Sequence, residues 1–265
     1  MAFTRANGIV IHYRVLGKSD GPVLVFSNSL GSDFRIWDEV APAFLDRCRV
    51  VLYDKRGHGF SDAPPPPYTI DDHVNDLMAL LDLLQVRTAA VIGLSVGGMI
   101  AQRIAVRAPD RVDALVLVCT AAKIGTVESW AERIAAVEAS GIASIVESVL
   151  DRWFTPSFRK NRADDCAGWG NMLVRTPAEG YVGTCASIRD ADLRADAGRI
   201  VAPTLCVAGD QDGSTPPDLV RHTADLIPGA RFELIGEAGH IPCVERPAAL
   251  TRLIERHLQE ARFVR

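Results

Sequence analysis

Residues 88–99 constrain the fold more than any other stretch of the chain. They read T-A-A-V-I-G-L-S-V-G-G-M: an apolar run at 89–92, then Gly93-Leu94-Ser95-Val96-Gly97, then Gly98, Met99, Ile100 and Ala101, which open a helix. In a G-x-S-x-G pattern the serine sits on a sharp strand-to-helix turn, where neighbouring chain passes too close for side chains. Gly93 and Gly97 remove those side chains. Holding a serine in so sparsely populated a backbone conformation costs on the order of 1 to 3 kcal/mol, which an ordinary structural turn has no reason to carry. A G-x-S-x-G string arises by chance in about one chain in ten of this length, so its meaning rests on its surroundings.

Those surroundings alternate strands with helices. Residues 9–16 alternate apolar and polar, with Ile9, Ile11, Tyr13 and Val15 on one side, as expected of a half-buried strand near a sheet edge. His12 falls on the other face and is expected to be solvated. The continuous apolar run 23–26 fits a strand covered on both faces, and 49–54, apolar from Val50 to Tyr53, reads as another buried strand. Thr69 is a good N-cap for a helix carrying Val74, Leu77, Met78, Leu81 and Leu84 at helical spacing, with His73 as a passenger. The helix after Ser95 ends before Pro109, and 114–118 is another buried strand. From about 121 to 188 the strand pattern disappears. Trp130, Ile134 and Val137, then Ile142, Ile145, Val146 and Val149 beyond Gly141, recur at helical spacing. Strands resume at 203–208 and 231–235, and a helix at 247–258 closes the pattern. The expected fold is α/β: a mostly parallel, doubly wound sheet formed by 1–120 and 189–265, interrupted by an all-helical cap at 121–188.

Bulk properties exclude other classes. A formal charge of −4 and a pI near 5.9 provide no basic footprint for nucleic acid or an anionic membrane. No apolar run approaches the roughly 20 residues needed to cross a bilayer, and the first residues lack the apolar stretch of a secretory signal, so a cytoplasmic location is expected. The six cysteines (Cys48, Cys119, Cys166, Cys185, Cys206, Cys243) form no C-x-x-C pair and no zinc spacing, and read as free thiols. Neither a metal nor a cofactor is expected, and oligomeric state is not encoded in any recognisable pattern.

A serine hydroxyl is a poor nucleophile until a base takes its proton, and the base works best when a carboxylate fixes its tautomer. Ser95, Asp212 and His240 each follow a predicted strand, and in a parallel sheet those strand ends share one edge, where ligands bind. His12, His73, His222 and His257 lie on elements expected to face away. His58 belongs to another loop, and Asp54, Arg56 and His58 read as a hydrogen-bonded loop rather than a catalytic group.

The order serine, acid, histidine, the Gly-x-x-Asp-x-x-x-Pro loop at 209–216 and the Gly-His at 239–240 resemble the α/β-hydrolase family over essentially the whole chain. The family's loop places the acid three residues after the glycine, which favours Asp212 over Asp210. The resemblance also implies an oxyanion hole built from the N–H groups of Val96 and of Leu30 in the loop Ser27-Asn28-Ser29-Leu30-Gly31, where His-Gly is commoner than Asn28-Ser29. More narrowly, that loop, Tyr53-Asp54-Lys55-Arg56-Gly57-His58-Gly59, the Ser95 turn and Arg152-Trp153-Phe154-Thr155-Pro156 are similar to the 3-oxoadipate enol-lactonases. Val96 departs from the methionine expected after the serine, but only its backbone N–H is needed.

The resemblance implies hydrolysis of 3-oxoadipate enol-lactone, a small carboxylated lactone, to 3-oxoadipate through an acyl-enzyme. In a chain of net charge −4 the substrate carboxylate needs a local arginine. Trp130 and Arg133, three apart on the first cap helix, are the implied substrate-binding residues, with Arg152 and Arg175 as rivals. A carboxylesterase or a C–C bond hydrolase would use the same three residues. A non-catalytic hydrolase-fold receptor would not need all of them, and a haloalkane dehalogenase would place Asp where Ser95 stands.

Overall fold

A computed structural model of the chain describes residues 2–264. Its strands are β1 (Ala2–Ala6), β2 (Ile9–Gly17), β3 (Val23–Ser27), β4 (Arg49–Tyr53), β5 (Ala89–Leu94), β6 (Val112–Val118), β7 (Thr204–Gly209) and β8 (Arg231–Ile235). They hydrogen-bond in the order β1-β2-β4-β3-β5-β6-β7-β8. β2 runs antiparallel to both of its neighbours, β1 and β4, and every pairing from β4 onwards is parallel. The central strand β5 is buried along its whole length, which is why its sequence shows no polar alternation.

Helices α1 (Ile70–Leu83), α2 (Val96–Arg107), α8 (Arg194–Ala197), α9 (Pro217–Leu226), α10 (Pro242–Glu245) and α11 (Pro247–Glu260) accompany the sheet. Between β6 and β7 the chain forms α3 (Val127–Ser140), α4 (Val146–Trp153), α5 (Pro156–Asn161), α6 (Ala163–Val174) and α7 (Ala178–Asp190), with no strand among the described residues of that insert. Local signals set these boundaries. Thr69 and Asp72 form a reciprocal capping box at the start of α1, and Gly141 at φ 73° ends α3. No helix among the described residues is long and apolar enough to cross a membrane.

One expectation fails at the sheet edge. β1, too short and polar to stand out in the sequence, pairs with β2 through a turn at Asn7-Gly8 and covers its outer edge. His12 is therefore buried rather than solvated. Its Nδ1 lies 2.7 Å from Asp54 Oδ2, and the rings of Phe3, Phe34 and Phe60 surround it. His73 is buried as well, packed edge-on against Tyr68.

The insert is tied to the edge of the sheet where β5, β7 and β8 end. Buried Glu245 accepts hydrogen bonds from Thr155 N and Oγ1 in the insert and, at 2.8 Å, from Gly239 N in the loop after β8. Ile241 N donates to Trp153 O at 3.2 Å across the same seam.

Candidate active site

Ser95 sits between β5 and α2 at φ 57° and ψ −120°, a positive φ that a serine rarely adopts. The turn is held from outside: Ser95 N donates to Val118 O at 3.0 Å, and Thr120 Oγ1 donates to Ser95 O at 2.6 Å. The flanking glycines are required sterically. A Cβ on Gly93 would stand 2.3 Å from Gly97 O, and one on Gly97 would stand 2.2 Å from Ser27 O.

Asp212 and His240 meet at the ends of β7 and β8. His240 Nδ1 lies 2.9 Å from Asp212 Oδ2, and both side chains are buried. Thr215 Oγ1 donates to the same carboxylate oxygen at 2.7 Å, while Ser214 N and Thr215 N donate to Oδ1 at 2.7 and 3.0 Å. Burial alone would push the Asp212 carboxyl up, but the His240 ring and the Thr215 donors outweigh it and hold it below the usual carboxylate value. An ionised Asp212 therefore accepts from Nδ1–H and leaves Nε2 as the basic nitrogen. Asp210 points elsewhere, its Oδ1 accepting from Ala238 N at 3.0 Å.

Ser95 and His240 line one cavity of about 520 Å³, together with Ser29 and Leu30 from the loop after β3. The insert forms the opposite wall, with Trp130, Arg133, Val149, Arg152, Trp153 and Tyr181. Trp130 Nε1 donates to Ile124 O at 2.7 Å, which fixes the indole, and the Arg133 guanidinium stacks 5.3 Å from its ring centre. Among the described residues neither Arg133 nor Arg152 has a carboxylate within 4.0 Å, although Glu132 also faces the cavity. Arg175 is removed from consideration. It lines a different cavity of about 410 Å³ with Arg14, Phe34 and Phe60.

The donor atoms of Cys119, Asp212 and His240 lie within 4.8 Å of one another, a spacing that a metal ion could span. The chemistry does not fit. Burial, reinforced by Asp212, pushes the Cys119 thiol well above its ordinary value, so it is protonated, and His240 and Asp212 already satisfy each other.

A family profile described as alpha/beta hydrolase fold matches residues 22–247. The chain belongs to the α/β-hydrolase family. As an α/β hydrolase it is enol-lactonase-like. It is 36% identical to 3-oxoadipate enol-lactonase 2 of Acinetobacter baylyi over 94% of this chain and 93% of that protein. It is 34% identical to 3-oxoadipate enol-lactonase 1 of the same organism over 92% and 91%. The crystal structure of the enol-lactonase from Burkholderia xenovorans superimposes with a TM-score of 0.95 at 36% identity, covering 97% of this chain and 100% of that one.

Three residues of this hydrolase escaped sequence reasoning. Thr215 braces Asp212, Glu245 ties the insert to the histidine loop, and Lys55 reaches under the loop after β3. Thr215 lies inside the motif already singled out, so its place three residues after Asp212 was a usable signal. Glu245 and Lys55 act on partners 90 and 26 residues away, and no local pattern marks them.

Proposed function

We propose that this α/β hydrolase opens the lactone ring of 3-oxoadipate enol-lactone to 3-oxoadipate, a step in aromatic-compound breakdown through β-ketoadipate. One observation carries the reading: Ser95 and His240 share a single cavity with Trp130 and two arginines that have no carboxylate partner among the described residues. Likeness to enol-lactonases over almost the whole chain supports it.

Ser95 Oγ attacks the lactone carbonyl as His240 Nε2 takes its proton, and Asp212 stabilises the imidazolium through Nδ1–H. The tetrahedral oxyanion accepts from Val96 N–H at the start of α2, where the helix dipole adds positive potential, and from Leu30 N–H. The ring C–O bond then breaks and its oxygen departs as an enolate; the proton that His240 took from Ser95 passes to it, giving the ketone and leaving His240 neutral. Water activated by His240 cleaves the acyl-enzyme and restores Ser95. The substrate carboxylate, which does not react, pairs with Arg133.

The test compares purified protein on the enol-lactone and on its analogue lacking the carboxylate. The carboxylated lactone is expected to react at least about tenfold better in kcat/KM, and Arg133→Ala to raise its KM by about tenfold while leaving the analogue unchanged. Equal rates on the two lactones in the wild type would contradict the assignment.

A further inference from the structure

Lys55, two residues beyond β4, is 1% exposed. Among the described residues no carboxylate lies within 4.0 Å of its ammonium. Its Nζ instead donates to two carbonyl oxygens of the loop after β3, Ser29 O at 2.5 Å and Ser32 O at 3.3 Å. Burying a cation with carbonyls as its only partners opposes folding, and an apolar side chain would fill the same space without that cost. Something other than packing must favour the lysine.

The geometry around Ser29 O supplies the reason. That oxygen is a triple acceptor, taking Lys55 Nζ at 2.5 Å, Ser32 Oγ at 2.9 Å and Ser32 N at 3.3 Å. The peptide that carries it is the one whose nitrogen belongs to Leu30. In a trans peptide the C=O and N–H point in opposite directions. Anchoring Ser29 O on the buried ammonium therefore turns Leu30 N–H the other way, and Ser29 and Leu30 line the cavity that holds Ser95 and His240. The next peptide is fixed as well, because Gly31 N donates to His58 Nε2 at 2.9 Å.

We propose that Lys55 is a positioning residue of the oxyanion hole: through Ser29 O it sets the direction of Leu30 N–H and strengthens it as a donor, given that this N–H serves the oxyanion as proposed above. A cation on the acceptor end of a peptide polarises it, so its N–H becomes a stronger donor to developing negative charge. Because the ammonium lies behind the peptide, it adds positive field at the oxyanion without competing for the substrate.

The test uses p-nitrophenyl acetate, so that it does not depend on which lactone is the substrate. Wild type and Lys55→Met are compared for kcat, for KM, and for inhibition by 1,1,1-trifluoro-4-phenylbutan-2-one, a ketone to which Ser95 adds to form an oxyanion. Loss of one donor predicts a kcat about 100-fold lower, KM within about threefold, and a Ki raised by about the same factor as kcat falls. Lys55→Gln, which keeps a neutral N–H donor, is expected to recover about tenfold of that loss. If Lys55→Met does not fold, Lys55→Gln carries the test, with kcat about tenfold below wild type and KM unchanged. A kcat within about threefold of wild type in the folded variant overturns the proposal, as does a fall in kcat with Ki unchanged. Wild-type turnover of the ester without turnover of the enol-lactone would remove the substrate assignment and leave the Lys55 comparison in force.

Discussion

Lys55 is held charged or neutral by opposing influences, and their balance is measurable. Burial lowers its pKa from 10.5 to about 7, and the nearby carboxylates Asp54 and Asp33 only partly restore it. Burial, with the Lys55 ammonium second, pushes the rings of His58 and His73, on the same loop and on α1, well down, so they add no competing positive charge. A lysine with a depressed native pKa binds fewer protons folded than unfolded between about pH 7 and 10.5. Its contribution to stability is therefore present above the unfolded value and lost as pH falls towards 7. Urea unfolding of wild type and Lys55→Met at pH 7 and pH 9 should show the wild type gaining about 2 kcal/mol on the variant at the higher pH. A difference independent of pH would mean that Lys55 titrates normally. Residues differ in how far their own sequence announces them. Ser95 was legible because the turn that strains it needs glycines on both sides, and those are written next to it. Lys55 was not, because its meaning lies in the direction of a peptide 26 residues earlier.

Among elements, the seam between the insert and the loop after β8 controls how His240 is presented. Glu245 collects three donors there, Thr155 N, Thr155 Oγ1 and Gly239 N, and Gly239 immediately precedes His240. Glu245→Ala leaves those buried donors without an acceptor, at about 1 to 3 kcal/mol each before relaxation. The expected loss is about 3 kcal/mol in urea unfolding, with a fall in kcat because the His240 loop loosens. A loss below about 1 kcal/mol would show that water or neighbouring groups take over. The elements themselves were mostly legible, since buried parallel strands are continuous apolar runs and α1 carries its own capping box. β1 was the exception. Its five residues alternate partly buried and exposed positions with Thr4 and Arg5 among them, and only pairing with β2 makes them a strand. The burial of His12 followed from that pairing, and was missed with it.

At the scale of the whole molecule, the chain order serine, acid, histidine becomes one place because β5, β7 and β8 run parallel and end at the same edge. That convergence could be read from the strand–helix alternation. The choice among arginines could not. Arg133 and Arg152 reach the cavity of Ser95 while Arg175 opens onto a separate one, and only the packing of the insert's helices divides them. In the proposed function, activity and specificity have separate structural sources, a sheet edge that would carry the reacting groups and an insert that would carry the charge for the substrate. The measurement that bears most directly on this account is kcat/KM of Ser95→Ala on 3-oxoadipate enol-lactone beside the wild type. Removing the nucleophile should lower it by at least about 1000-fold. Activity within about tenfold of the wild type would contradict Ser95 as the nucleophile.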